Sequence, residues 1–363
     1  MLKRKEGFPL NHSQEEISVA TKEPLLKIEN LKKHFSIKGG GMFNSKRKIV
    51  KAVDDVSFHI YKGETLGLVG ESGCGKSTLG RNILRLQEPT EGRVFYKDTN
   101  ILEQNNRELR KLRREIQIIY QDPFGSLNPR FTIGQIIGEM YEIHGIASGP
   151  EKEAKVKEML ELVGLDPSRY HSYPHEFSGG QRQRVGIARA LALNPEFVVA
   201  DEPVSALDVS VQSQVINLLM KLKKELGLTM LFIAHGLNVV RHISDRVGVM
   251  YLGKLVELSE TDNIFDHPAH PYTAALLSTV PEADPKLRKE RIVLKGEVPS
   301  PANPPSGCRF RTRCPLATEL CVQEAPPLKE IRDEHFVACH FPLEKGQSLK
   351  EAIELLNKEK IAN

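Results

Sequence analysis

The stretch TLGLVGESGCGKST at residues 65–78 constrains this chain more than any other. A short, nearly continuous apolar run, TLGLVG, reads as a buried strand, and it passes directly into a loop that fits G-x-x-x-x-G-K-[ST] at Gly70, Gly75, Lys76 and Ser77. Glycines at those positions let successive backbone N–H groups turn inward around phosphate oxygens, and the helix that follows, TLGRNILRL, adds its positive N-terminal end. The loop residues Gly70, Glu71, Ser72, Gly73, Cys74, Gly75, Lys76, Ser77 and Thr78 are therefore the candidate phosphate cradle. Lys76 would neutralise β- and γ-phosphate charge, the Ser77 hydroxyl would hold Mg²⁺, and Cys74 reads as a small filler. A glycine turn without a ligand is the plain alternative, but strand, loop and helix stand in the order that phosphate binding requires.

Three further apolar segments each end in a polar group. EFVVADEP (196–203) supplies Asp201, placed to reach Mg²⁺, and Glu202, placed to orient and polarise an attacking water. TMLFIAH (229–235) ends in His235, whose imidazole can donate to a γ-phosphate oxygen; alone it would be an ordinary loop histidine. IQIIYQ (116–121) ends in Gln121, whose amide can meet both metal and water. Open α/β sheets bind ligands at the C-terminal ends of their strands, where these four groups would gather. Upstream, LKIENL (26–31) and VSFHI (56–60) alternate apolar and polar residues, which predicts half-buried strands joined through the flexible connection KGGGMFNSKRK.

A second feature lies about a hundred residues on. In FSGGQRQRVGIARAL (177–191), Ser178, Gly179, Gly180 and Gln181 open a helix and would form a second anion site. Phosphate loop and S-G-G-Q together make the sequence resemble the ATP-binding subunits of ABC transporters. The resemblance implies a P-loop NTPase (RecA-like) α/β core with an antiparallel β subdomain and a helical subdomain. It also implies that two such domains pair head to tail, each nucleotide held between the phosphate loop of one and the signature of the other. By position Phe35 is the adenine-stacking aromatic, with core packing as its alternative; Gln121 senses Mg²⁺ and contacts the transmembrane partner; SALD (205–208) places Asp208 in the dimer-communicating loop; His235 is the switch histidine. Many family members carry an acidic residue after that histidine, whereas Gly236 stands here.

The resemblance spans residues 24–262, with 124–178 as the helical subdomain and PEKEAKVKEMLELVGL (150–165) at helical spacing. It leaves a tail at 1–23, an extension at 263–340 reached through Pro-rich PEADPKLRKE and GEVPSPANPPSG, and a second tail at 341–363. Four of the five cysteines fall in that extension, Cys308, Cys314, Cys321 and Cys339, with five, six and seventeen residues between them. A reducing compartment disfavours disulfides, so they read as thiolate ligands, although no C-x-x-C pair of the usual zinc kind occurs. HPAHPYTAALLSTVP (267–281) and PSPANPPSGCRFRTRCP (299–315) resemble the C-terminal extension of oligopeptide and dipeptide importer ATPases. That resemblance implies a [4Fe–4S] cluster, with Zn²⁺ or free thiols as alternatives; His267 and His270 read as structural.

Composition agrees. The chain is 40% hydrophobic and 27% charged, and 51 basic against 47 acidic residues leave +4, which calls for no nucleic-acid partner. The basic run NRELRKLRRE (106–115) suits a solvated helix face. No apolar run is long enough to span a bilayer, and no apolar segment follows the basic start, which argues against secretion. The expected role is an ATP-hydrolysing subunit powering peptide import. It would sit peripherally on the cytoplasmic side of the cell membrane with a second, paralogous ATPase, two permease subunits and an extracytoplasmic peptide-binding protein. An importer of nickel or another small solute, a non-transport relative acting on DNA or ribosomes, and a redox-sensing Fe–S protein are the rivals.

Overall fold

The computed structural model describes residues 23–38, 47–280 and 291–362, the last few without their side chains. Residues 1–22 of the expected tail, most of the glycine-rich connection and the stretch PEADPKLRKE (281–290) lie outside it.

Strands β1 (Pro24–Lys38), β2 (Arg47–Tyr61), β4 (Glu91–Tyr96) and β5 (Thr99–Asn100) form an antiparallel sheet in the order β2-β1-β4-β5. Leu26, Ile28 and Leu31 face inward while the residues between them stay wetter, the alternation expected of a sheet covered on one side. The second sheet is built on β3 (Thr65–Val69), β6 (Ile116–Ile119), β7 (Phe197–Asp201), β8 (Thr229–Ile233) and β9 (Arg246–Tyr251), all parallel. These strands are apolar almost throughout because both faces are covered. On β7, Val198 and Ala200 belong to the core beneath the helical side, while Phe197 and Val199 belong to the core beneath the antiparallel sheet.

Helix α1 (Lys76–Ile83) runs from the phosphate loop and buries Leu79 and Ile83 between the two sheets. Helix α2 (Asn106–Leu112) carries the basic run, mostly in solvent. Helices α3 (Ile133–Ile143) and α4 (Gly149–Leu162) pack together as a helical arm, α3 starting from a reciprocal Thr132–Gln135 cap. Helix α5 (Gly179–Leu191) returns to the sheet, followed by α6 (Val209–Leu226) and α7 (Leu237–Ile243).

The extension is joined to this body through the sheet itself. After β9, β10 (Lys254–Glu260) turns back antiparallel, and β11 (Lys329–Arg332) and β12 (His335–Val337) add beyond it, giving β11-β12-β10-β9-β3-β8-β7-β6. Helices α8 (Thr261–Asp266) and α9 (Pro271–Leu277) lie between, with α10 (Glu319–Gln323) and α11 (Leu349–Ala362) further on. Tyr272 and Phe310 share the core of the parallel sheet. Helix α9 is thus seated on the body that carries the parallel sheet.

Candidate functional site

The loop after β3 turns on glycines whose geometry no other residue fits. Gly75 has φ +106°, and a Cβ there would lie 2.0 Å from the Ala52 carbonyl oxygen. Lys76 is buried and donates to the carbonyls of Gly70 at 2.8 Å and Glu71 at 3.3 Å. Cys74, also buried, packs beneath the loop, and burial pushes its thiol pKa up. Ser77 and Thr78 are half-buried at the start of α1.

Three strand ends converge on Glu202. Its backbone N–H donates to the Ile233 carbonyl at 3.0 Å and its φ of +50° is unusual for a side chain of this size. One carboxylate oxygen lies 2.7 Å from His235 Nε2; the other accepts from Gln121 Nε2 at 2.6 Å. Glu202 is 5% exposed whereas His235 is 44% exposed, so the carboxylate is set into the floor and the imidazole stands at the rim. Gly236 does not disturb this: a Cβ there would meet only Val239, at 3.8 Å, so the position is open and His235 reaches its partner without an acidic neighbour.

Asp201, one residue earlier, is buried; Oδ2 lies 3.6 Å from Arg81, and Oδ1 has no hydrogen-bond partner. A buried carboxylate oxygen left unsatisfied beside the Ser77 hydroxyl's strand–loop–helix is the feature a hydrated divalent cation would satisfy, so the residues present fit Mg²⁺.

Ser178 and Gln181 cap α5 reciprocally: Ser178 Oγ accepts from the Gln181 N–H at 3.3 Å, and Gln181 Oε1 accepts from the Ser178 N–H at 2.9 Å. Gly180 is required by packing, since a Cβ would lie 2.4 Å from Val211 on α6. Among the described residues, the cavity of about 290 Å³ beside Gly70, Glu71 and His235 takes no wall from the signature. Asp208 and Val209 at the start of α6 are exposed. Phe35 is half-exposed rather than part of the core, with Lys33 Nζ 5.0 Å from its ring.

The four extension cysteines come together. Cys308, Cys314, Cys321 and Cys339 line one small pocket with Phe310 and Leu316, and the Cys308 N–H donates to the Cys321 carbonyl at 2.9 Å. Burial pushes the Cys308 thiol pKa up and those of Cys314 and Cys339 up to about 12, and the neighbouring sulfurs add to the shift. Backbone N–H groups at Phe310, Leu316 and Phe341 oppose it by donating to the sulfurs. Four soft donors with N–H support suit a thiolate-bound metal group, yet among the described residues no three histidine, cysteine or acidic side chains are set to hold a metal ion. His270, read as structural, is buried and caps α9 by accepting from the Tyr272 N–H at 3.0 Å.

Sequence reasoning missed the contacts of Tyr272, Arg309 and Arg313 with the nucleotide-binding body. Arg309 and Arg313 flank cysteines in CRFRTRC, but nothing in that run points to Asp54 or Glu71.

Comparison with known proteins gives a consistent picture. Residues 53–205 match the family model described as ABC transporter, and 256–321 match that described as Oligopeptide/dipeptide transporter, C-terminal region. The chain is 57% identical over 328 residues to the oligopeptide transport ATP-binding protein AppF of Bacillus subtilis, covering 90% of this chain and 99% of that one. The dimeric, post-hydrolysis ATP-binding cassette MJ0796 with ADP and Pi aligns at 32% identity and TM-score 0.57, over 65% of this chain and 98% of its own. CbiO1 of Clostridium perfringens, part of the transporter complex cbiONQ, aligns at 26% identity and TM-score 0.56, over 67% and 91%.

Proposed function

The chain belongs to the ABC transporter ATP-binding proteins of the oligopeptide and dipeptide import group, and from that premise we propose how its residues use ATP to drive peptide import. The observation that carries the reading is Glu202, held by Gln121 on one oxygen and His235 on the other at the edge of the phosphate loop.

ATP enters against the loop, where Lys76 exchanges the Gly70 carbonyl for phosphate oxygen and the loop N–H groups receive the rest. Phe35 stacks on the adenine. Ser77, Asp201 and Gln121 would hold Mg²⁺, which when bound would supply charge neutralisation at the phosphates. Glu202 accepts a hydrogen bond from water and aims it in line with the γ-phosphorus; its proton moves toward the carboxylate as the bond to the leaving ADP oxygen lengthens. His235 holds Glu202 through Nε2 and, standing at the rim, can turn that N–H to the γ-phosphate instead. Ser178, Gly179, Gly180 and Gln181 line no wall of the cavity beside their own phosphate loop and Asp208 is exposed, which supports their serving the nucleotide of a second ATPase. We take that second subunit to be a paralogue of this chain.

The importer also contains membrane permease subunits and a substrate-binding protein. Among the described residues no helix is long and apolar enough to cross a membrane, which suits attachment to the cytoplasmic side through the permeases. We assign the four-cysteine pocket to a [4Fe–4S] cluster, with Zn²⁺ second, on the strength of four thiols that converge on one small pocket, Cys321 buried and the others half-buried. It stands outside the ATP motifs and so has a structural or sensing role.

The test is reconstitution of the complex in vesicles. Peptide with its binding protein should stimulate phosphate release and drive peptide uptake. Stimulation by nickel but not by peptide would overturn the substrate assignment, and hydrolysis indifferent to permease subunits would overturn the transport role.

A further inference from the structure

Two arginines leave the segment between Cys308 and Cys314 in different directions, and both end at the nucleotide-binding body. Arg313 places Nη1 at 3.1 and 2.8 Å from the two oxygens of Glu71, the second residue of the phosphate loop. The Glu71 backbone N–H, meanwhile, donates to the Tyr272 hydroxyl at 3.0 Å, so side chain and main chain of this loop residue are both held by the extension. Arg309 is buried and donates to the Asp54 carboxylate and to the Leu252 carbonyl.

Asp54 lies on β2. Its other oxygen stands 2.9 Å from Nε2 of His34, the residue before Phe35. Next to Leu252, Gly253 donates to the Cys74 carbonyl at 2.8 Å and accepts from the Asp54 N–H at 2.8 Å, which ties phosphate loop and β2 into one unit. Between the two arginines Phe310 is 1% exposed and packs at 5.2 Å from Tyr251 and 5.3 Å from Tyr272, so the segment cannot slide.

The electrostatic consequence is direct. Glu71 brings a negative charge to the mouth of a loop that must bind polyphosphate, and Arg313 offsets it while fixing its direction. A loop already aimed pays less ordering entropy when nucleotide arrives.

We propose that Arg313 and Arg309 are positioning residues for nucleotide binding: the cysteine-bearing segment braces the phosphate loop through Glu71 and the adenine-side sheet through Asp54, and ATP affinity depends on that brace. The proposal rests on the ATP site described above and adds to it a control that the extension exerts on that site.

The experiment titrates the full chain, in complex with its permeases, with a fluorescent ATP analogue and Mg²⁺, and measures phosphate release and thermal unfolding in parallel. Losing one charge-assisted pair predicts that Arg313→Gln weakens nucleotide binding about tenfold. Its turnover at saturating ATP should stay within about threefold of the parent, so that KM rather than kcat moves. Arg313→Lys should recover part of the loss, and Arg313→Gln with Glu71→Gln should bind no worse than Arg313→Gln alone, because the charge to be offset is gone. Arg309→Gln should weaken binding as well. Binding by Arg313→Gln within twofold of the parent, losses that multiply in the double variant, or losses fully accounted for by unfolded protein would each overturn the brace. Lys76→Ala separates the two readings: if it binds nucleotide as the parent does, the assignment of the ATP site itself fails.

Discussion

His235 Nε2 and Glu202 Oε1 stand 2.7 Å apart, joining the ends of β8 and β7 across the mouth of the phosphate loop. With Gln121 on its other oxygen, both carboxylate oxygens of Glu202 are held in place. Replacing it with Gln keeps the size but turns one accepting oxygen into a donor and removes the proposed proton acceptor. Glu202→Gln should lower turnover by about 10²- to 10⁴-fold while leaving ATP binding intact, measured by phosphate release and nucleotide titration. Unchanged turnover would refute the assignment.

The signature lines no part of the cavity beside its own phosphate loop, which separates binding from turnover. Ser178→Arg removes the cap on α5, costing about 1 kcal/mol of helix stability, and puts a large cation at a helix N-terminus. ATPase activity of the assembled complex should fall by more than about 100-fold, the scale of losing an oriented anion site. ATP binding to the separate chain should be unaffected. Equal loss in both would show that the signature serves its own nucleotide.

The extension is anchored by a buried pair. Glu257 and His335 are almost wholly sealed, 2.7 Å apart, and Glu257 also accepts from the N–H groups of Ala269 and His270 at 2.7 and 2.9 Å. Glu257→Leu leaves His335 and two N–H groups without partners and should destabilise the chain by about 3–5 kcal/mol in urea unfolding. A loss under about 1 kcal/mol would mean that β12 is not held through this contact.

Acid stability should carry the mark of Asp54. Burial alone would raise its pKa, but the His34 hydrogen bond and the charges of Arg309, Lys51 and Lys254 outweigh it and hold the carboxyl below its ordinary 3.8. The unfolded chain therefore takes up this proton first, so the contribution is present above pH 3.8 and is lost as pH falls through the lower folded value. Asp54→Asn should be less stable near neutrality and show a flatter decline below pH 4, by denaturant titration at several pH values. An unaltered slope would remove Asp54 from the acid response.

For the cysteines, anaerobic purification of the full chain should yield iron and acid-labile sulfide in equal amounts, with a broad visible absorbance that Cys314→Ser abolishes. Zinc without sulfide would select the alternative metal, and neither element would refute both.

Much of the site was legible because its chemistry is local. The phosphate loop, Asp201 with Glu202, and His235 each follow a short apolar strand, and a strand buried on both faces can place a polar residue only at its end. That rule, applied to Ile116–Ile119, Phe197–Asp201 and Thr229–Ile233, points to Gln121, Glu202 and His235 from the sequence alone. Phe35 was different, since one aromatic on an alternating strand is equally at home in a core or on a surface; only its half-exposed position separated the two. Gly236 stands where many family members carry an acidic residue, and the His235 imidazole is held by Glu202 across the sheet rather than by its chain neighbour.

What the amino-acid order determined by itself is what depends on neighbours in the chain: strand, glycine turn, helix N-terminus, and the residues that ride on them. What tertiary structure alone decided is the relation between distant segments. Arg313 meets Glu71 across 242 residues and Arg309 meets Asp54 across 255, so the Cys-rich extension is clamped to the phosphate loop although nothing in either segment announces the other. The physical reason is that an ion pair depends on separation in space, which β12 fixes by adding to β10, and no local pattern of residues encodes that pairing.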